Sequence, residues 1–212
     1  MDLSNPVQSV IPSAYGATLA VLARTDEPLT GRGVAALTRP SFGYRRVNEV
    51  LSALTDAGIV LRDSRPPANF YRLNRDHVAA EGVVALAGMW STLLDRMSCE
   101  LGRWPVRPVA AWLFGSAARG EAGVDSDIDV LLVPPPGVKE SEDIREAWQA
   151  QTDAFAELVR SWSGNACELL EMDAGELEAA SARDERLARD LRDGAVVLSG
   201  RHPRSMLRKA VG

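Results

Sequence analysis

Residues 112–133 read Trp-Leu-Phe-Gly-Ser-Ala-Ala-Arg-Gly-Glu-Ala-Gly-Val-Asp-Ser-Asp-Ile-Asp-Val-Leu-Leu-Val. An apolar run ends in Gly115-Ser116, and Asp127 and Asp129 sit two apart at the start of a second apolar run. On a strand, side chains i and i+2 leave the same face. Two carboxylates held side by side repel unless a cation lies between them. Carboxylates are hard oxygen donors suited to Mg²⁺, which keeps some of its waters and bridges to substrate phosphates. A glycine turn opening a helix presents backbone N–H groups to an anion. Ser116 adds a hydroxyl, and Arg119, one turn on, has the planar fork that meets phosphate oxygens. These parts describe metal-assisted phosphoryl or nucleotidyl transfer, with one ion or two steadying the attacking and leaving oxygens.

The elements that must position them are legible around the motif. Strand 108–114 feeds the glycine loop, and strand 128–133 leaves it, stopped by Pro134-Pro135-Pro136-Gly137. Residues 141–162 have helical spacing, with Ile144, Trp148, Phe155 and Leu158 expected inward. Residues 166–172 read as a third strand, Asp173 as the cap of a helix from 174 to about 192, and 194–198 as a short last strand. Residues 77–101 are expected to form one long amphipathic linker helix, with Val78, Val84, Leu86, Met89, Leu93, Leu94, Met97 and Leu101 buried.

Gly115-Ser116, Ala118-Arg119-Gly120-Glu121-Ala122 and the run Ser126–Val133 resemble the signature of the DNA polymerase beta-like nucleotidyltransferase superfamily, closest to its minimal branch. The resemblance covers roughly residues 80–200. It implies a core with a mixed β-sheet flanked by helices, Mg²⁺ dependence, and transfer of a nucleoside monophosphate from a nucleoside triphosphate. It also implies nucleotide binding by Gly115, Ser116, Arg119 and Ser126, and a third carboxylate on a later strand. Within Asn165–Asp173 that acid is expected to be Glu168, the base for the acceptor hydroxyl and a third metal ligand beside Asp127 and Asp129. Glu171 falls on the opposite face of a regular strand. The family more often carries Asp at this place. The acceptor it implies is a hydroxyl of a protein, as in antitoxins that nucleotidylate HEPN-type toxins, or of a small molecule.

The N-terminal part has another pattern. Helical spacing over 13–25, a helix from cap Thr30 to Leu37, a helix 42–56 capped by Ser41, and strands at 59–62 and 70–73 around a polar tip 63–69 follow in order. This succession resembles the winged helix-turn-helix of many bacterial regulators. The resemblance puts Tyr44, Arg45, Arg46 and Asn48 at the base-reading end of a recognition helix, and Arg65 on the wing near phosphates. A winged helix also serves as a dimerisation module, so a homodimer is compatible with it. The alternative reading of the whole chain is a DNA-binding regulator or antitoxin-like protein whose transferase fold only senses nucleotide.

The expected organisation is therefore α/β, of α+β character: a winged helix-turn-helix over 1–76, a linker helix over 77–104, a nucleotidyltransferase domain over 105–200 and a basic tail over 201–212. Residues 1–80 hold nine arginines and seven acids, a net of +2, against −7 for the remainder. Such a balance is far from the strongly basic footprint of a committed nucleic-acid binder. The two cysteines, Cys99 and Cys167, and two histidines, His77 and His202, offer no ligand-spaced zinc cluster. No apolar run approaches the ~20 residues of a membrane span. The start of the chain lacks the pattern of a signal peptide, so a cytoplasmic protein is expected.

Overall fold

The computed structural model describes residues 1–183, 187 and 189–207. The chain divides into two compact units, Ser4–Trp90 with Asp2, and Ser91 onward with Met1 and Leu3. In the first unit, α1 (Pro6–Val10), α2 (Ala14–Ala23), α3 (Gly31–Leu37) and α4 (Tyr44–Asp56) precede a hairpin of β2 (Val60–Arg65) and β3 (Ala68–Leu73). A two-residue strand, β1 (Leu29–Thr30), pairs antiparallel with β3, giving the sheet order β1-β3-β2. Helix α5 (Ala80–Ala87) closes the unit.

Val47, Val50, Leu51 and Leu54 of α4 recur at helical spacing and are buried together with Leu22, Val34, Val60, Tyr71 and Leu73. Thr30 caps α3 as expected, its hydroxyl accepting from Gly33 N at 3.0 Å. Helix α4 starts later than expected. Its N-cap is Gly43, and Ser41 is exposed and caps nothing. The hairpin is longer than expected, because residues 63–65 and 68–69 continue the ladder and only Pro66-Pro67 turn. These are outward-facing polar positions, so hydropathy alternation does not report them, whereas paired backbone does. β1 is too short for any periodicity to show.

The expected single helix over 77–101 is two. Gly88 caps α5, and α6 (Met89–Arg103) starts anew. Val78 lies outside both and is 93% exposed, and Val84 is also exposed, contrary to expectation. Leu93, Met97 and Leu101 of α6 are buried as expected.

The second unit holds a four-stranded sheet in the order β6-β5-β4-β7, formed by β4 (Ala110–Phe114), β5 (Ile128–Val133), β6 (Cys167–Glu171) and β7 (Val196–Gly200). β4 runs antiparallel to β5 and β7, and β5 runs parallel to β6, so the sheet is mixed. The short helix α7 (Gly115–Ala118) follows β4 directly. The parallel pair requires a crossover, which α8 (Glu142–Ser163) supplies. Trp148, Phe155 and Val159 of α8 are buried, and Trp104 meets Trp148 and Phe155 edge-on, each at 5.6 Å between ring centres. Leu158 is half-buried and Ile144 is exposed, where both were expected inward. Gly164, in a left-handed conformation with φ 77°, ends α8.

The opposite sheet face carries Ala110, Trp112, Leu131 and Val133, covered by Leu177 of α9 (Ala174–Arg183), Leu191 of a π-helical turn (Asp190–Gly194) and Leu207 after α10 (Pro203–Met206). Asp173 caps α9 as expected. Its Oδ1 accepts from Gly175 N and Glu176 N, and its own N–H donates to Glu176 Oε2. Part of the expected helix to about 192 lies outside the described residues, and its described end is the π turn. Of the basic tail over 201–212, Pro203–Met206 is helical and Leu207 is buried. Residues 208–212 lie outside the described residues. No helix among the described residues is long and apolar enough to cross a membrane.

Candidate functional site

The register of the sheet assembles the acids. Asp129 lies opposite Phe114 on β4 and beside Glu168 on β6. Directly paired residues share a sheet face, so Asp129 and Glu168 project together, next to the point where β4 runs into Gly115. Asp127 lies two residues before Asp129, outside the regular strand, and is exposed, as is Glu168; Asp129 is half-buried. Glu171 is on the other face, where Oε2 accepts a hydrogen bond from Trp148 Nε1 at 2.8 Å. It has no part in the acid cluster.

Burial raises the Asp129 carboxyl above the usual carboxylate range, and the charges of Asp127 and Glu168 push it further the same way, while Arg119 opposes them. Like charges gathered at a half-buried position are costly and cluster at functional sites. Gly115 supplies a second mark. Its φ is +71°, and a Cβ built there would lie 2.4 Å from Asp129 Oδ2. Only glycine lets the turn and the carboxylate come so close. The α7 turn begins here, and the first N–H groups of a helical turn lack acceptors within the helix. Ser116 is half-buried beside Gly115.

The donor set suits a hard divalent cation in charge and chemistry. It is not a preformed cage: among the described residues no group of three or more His, Cys, Asp and Glu side chains is arranged to hold a metal ion. Cys167, next to Glu168, has its thiol pushed up to about 12 by burial and by the neighbouring carboxylates. It stays a protonated, half-buried thiol.

Arg119 is at the edge of this cluster but engaged. Its Nε donates to Glu121 Oε2 at 2.9 Å, and Nη1 lies 3.5 Å from Asp190 Oδ2 on the π turn. Ser126 turns its hydroxyl inward to the loop, where Oγ accepts from Gly123 N at 3.0 Å. Asn165 is buried, and its Nδ2 reaches the carbonyls of Gly123, Val124 and Ser126 at 3.4, 3.2 and 2.9 Å. One amide thereby pins the loop that delivers Asp127. Sequence reasoning missed Asn165 and Asp190. Asn165, just before the third strand, is a polar residue in a position where burial was to be expected; Asp190 carries no such signal.

A cavity of about 520 Å³ lies at the other end of β5, lined among others by Val133, Pro134, Val138, Lys139, Asp173 and Arg201. It is away from the acids. Lys139 there is tied to Asp173 at 2.7 Å and Glu176 at 2.9 Å, which hold its ammonium charged well above the usual range. Chemistry, not size, selects the acid edge as the candidate site.

The first unit presents the other group of expected residues. Tyr44 and Asn48 line a cavity of about 340 Å³ with Arg32, Pro67 and Asn69, so the start of α4 and the hairpin tip border one hollow. Arg32 stacks over the Tyr44 ring at 5.7 Å. Arg45 and Arg46 are exposed and both pair with Glu49, at 3.4 and 3.3 Å. Arg65 pairs with Asp63 through Nε at 2.7 Å and lies over the Phe70 ring.

Comparison with curated proteins and with solved structures returns no match. Residues 97–165 match the family model described as a nucleotidyltransferase domain, a span that holds Gly115, Ser116, Arg119, Ser126, Asp127 and Asp129 and supports the nucleotidyltransferase superfamily for this segment.

Proposed function

We propose that the second unit transfers a nucleoside monophosphate from a nucleoside triphosphate to an acceptor hydroxyl on a protein or a small molecule. The observation that carries this reading is the pairing of Asp129 with Glu168 beside Gly115, inside and just beyond the matched segment. Asp127, Asp129 and Glu168 would hold Mg²⁺, which neutralises phosphate charge and polarises the α-phosphate when bound. The Gly115 turn and Ser116 receive the triphosphate tail. Arg119 offers its remaining N–H groups to phosphate oxygens. Glu168, exposed on β6, would accept the acceptor hydroxyl proton as its oxygen bonds to the α-phosphorus and pyrophosphate leaves. Ser126 closes the loop before Asp127 by accepting from Gly123 N–H, and its own O–H remains a donor for a phosphate oxygen.

The experiment is transfer of label from each of the four α-labelled triphosphates with Mg²⁺ and cell lysate as acceptor. Label must appear with the wild-type chain and vanish with Asp127→Asn. Nucleotide binding without transfer under any of the four would instead favour the nucleotide-sensing regulator.

We infer further that the first unit is a winged helix-turn-helix that contacts DNA, with α4 as recognition helix and the β2–β3 hairpin as wing. Arg32, Tyr44, Asn48 and the hairpin tip border one hollow, while Arg45 and Arg46 are exposed on α4 and Arg65 is exposed on the hairpin. Glu49 offsets part of that positive charge, so non-specific affinity is expected to be low, with a modest salt dependence. Fluorescence anisotropy of a labelled duplex should show binding that weakens with salt, and Arg45→Ala should flatten the slope of log K against log salt by about one. Salt-independent anisotropy overturns the DNA reading and leaves this unit a protein-docking or dimerisation module.

A further inference from the structure

Arg119 is held from two sides by acids that the cluster does not use. Glu121 takes Nε at 2.9 Å, and Asp190 faces Nη1 at 3.5 Å. The two anchors come from different places: Glu121 from the loop after α7, Asp190 from the π turn that packs near β4. The turn also fits around the arginine stem, since a Cβ built on Gly194 would lie 4.0 Å from Arg119 Cγ, at van der Waals contact. A π turn is an uncommon distortion and tends to mark functional sites.

A guanidinium has five N–H donors in a fixed plane. Glu121 takes the Nε hydrogen and Asp190 faces Nη1 as an ion pair without a hydrogen bond, so both Nη2 hydrogens stay open to a ligand. Arg119 is also the cation whose field opposes the negative charge around Asp129. Closer to Asp129, the same charge would compete with a divalent ion for the carboxylate. Both anchoring pairs are partly exposed, with side-chain exposure of 36% for Arg119, 63% for Glu121 and 26% for Asp190. Each alone is therefore weak, and direction comes from having two.

We propose that Glu121 and Asp190 are positioning residues that aim the free edge of Arg119 at the incoming triphosphate and keep its charge off Asp129. The proposal rests on the nucleotidyl-transfer reading of this site. It adds that the π turn, far downstream of Arg119 in the chain, is part of the nucleotide-binding machinery.

The test is a thermodynamic cycle on Mg²⁺–nucleoside triphosphate affinity, measured by calorimetry with each of the four triphosphates and followed by steady-state kinetics with the best of them. Arg119→Ala is expected to weaken binding ~10-fold, the loss of a charge-assisted contact. Asp190→Asn and Glu121→Gln should each weaken it by a few-fold, and together by about as much as Arg119→Ala. In the Arg119→Ala background neither should have any further effect. The loss should fall on KM, and Asp190→Glu should restore most of it. Equal effects of Asp190→Asn with and without Arg119 would overturn the proposal, as would unchanged affinity in Arg119→Ala. A wild-type chain that binds none of the four triphosphates would overturn the transfer reading itself, a result distinct from either of these.

Discussion

Asp129→Asn should lower kcat by about 10³-fold or more, because it removes a charge from the place where the transition state needs it most. The same substitution should leave the fold intact and, without magnesium, make it more resistant to heat. Burial raises the Asp129 carboxyl, and Asp127 and Glu168 add to the rise. A carboxyl raised on folding gives stability that is fully present below its unfolded value and lost as pH rises through its folded value. At neutral pH the wild type therefore carries an unfavourable charge that the amide does not. A melting series without magnesium should show the wild type losing ground to Asp129→Asn as pH rises from about 4 to 7. Adding Mg²⁺ should reverse the order. At ten times its dissociation constant a bound ion adds ~1.4 kcal/mol, or a Tm gain of roughly 3–6 °C in a chain of this size. The gain should be absent in Asp129→Asn. Activity and stability thus move in opposite directions, which a merely structural aspartate would not allow.

Gly115→Ala should damage both. At φ +71° an L side chain is strained by about 1–2 kcal/mol. The added Cβ would also meet Asp129 Oδ2 at 2.4 Å, so the carboxylate must turn away. Displacing a reacting group by about 1 Å costs on the order of 10²-fold in rate. Tm should fall by roughly 3–6 °C, and kcat/KM by ~10²-fold, whatever triphosphate is used. The check is to run both measurements on one preparation. Asp129→Asn and Gly115→Ala then give opposite stability changes with activity lost in each, and a Gly115→Ala chain of wild-type activity would mean that the turn and the acid do not work together.

Strand parity in Asn165–Asp173 separates Glu168 from Glu171, and that separation holds in β6. The i, i+2 spacing of Asp127 and Asp129 is only partly a strand feature, because β5 begins at Ile128. The parallel register of β5 and β6 set Glu168 beside Asp129, while Glu171 went to the indole of Trp148. What pattern could not show is what depends on distant chain segments. Asn165 matters because it spans three carbonyls of a loop some forty residues earlier, and Asp190 because it reaches back to Arg119. The sequence shows Arg119 and Ser126 as phosphate ligands, but not that Arg119 also faces two acids or that Ser126 also closes a loop.

In the first unit, apolar spacing located α4 and its buried face, but its start slipped from Ser41 to Gly43 because a serine is a common cap and nothing local marks it as unused. The long helix expected over 77–101 broke at Gly88, where a glycine inside a helical pattern was read through rather than as a stop.

The most direct measurement is calorimetric titration of nucleoside triphosphate into the wild-type chain and into Asp129→Asn, each with and without Mg²⁺. Binding that requires the metal and is lost with the carboxylate is the result expected here. Triphosphate binding of equal strength in all four arms, or in none, would contradict a carboxylate-held cation as the basis of the site.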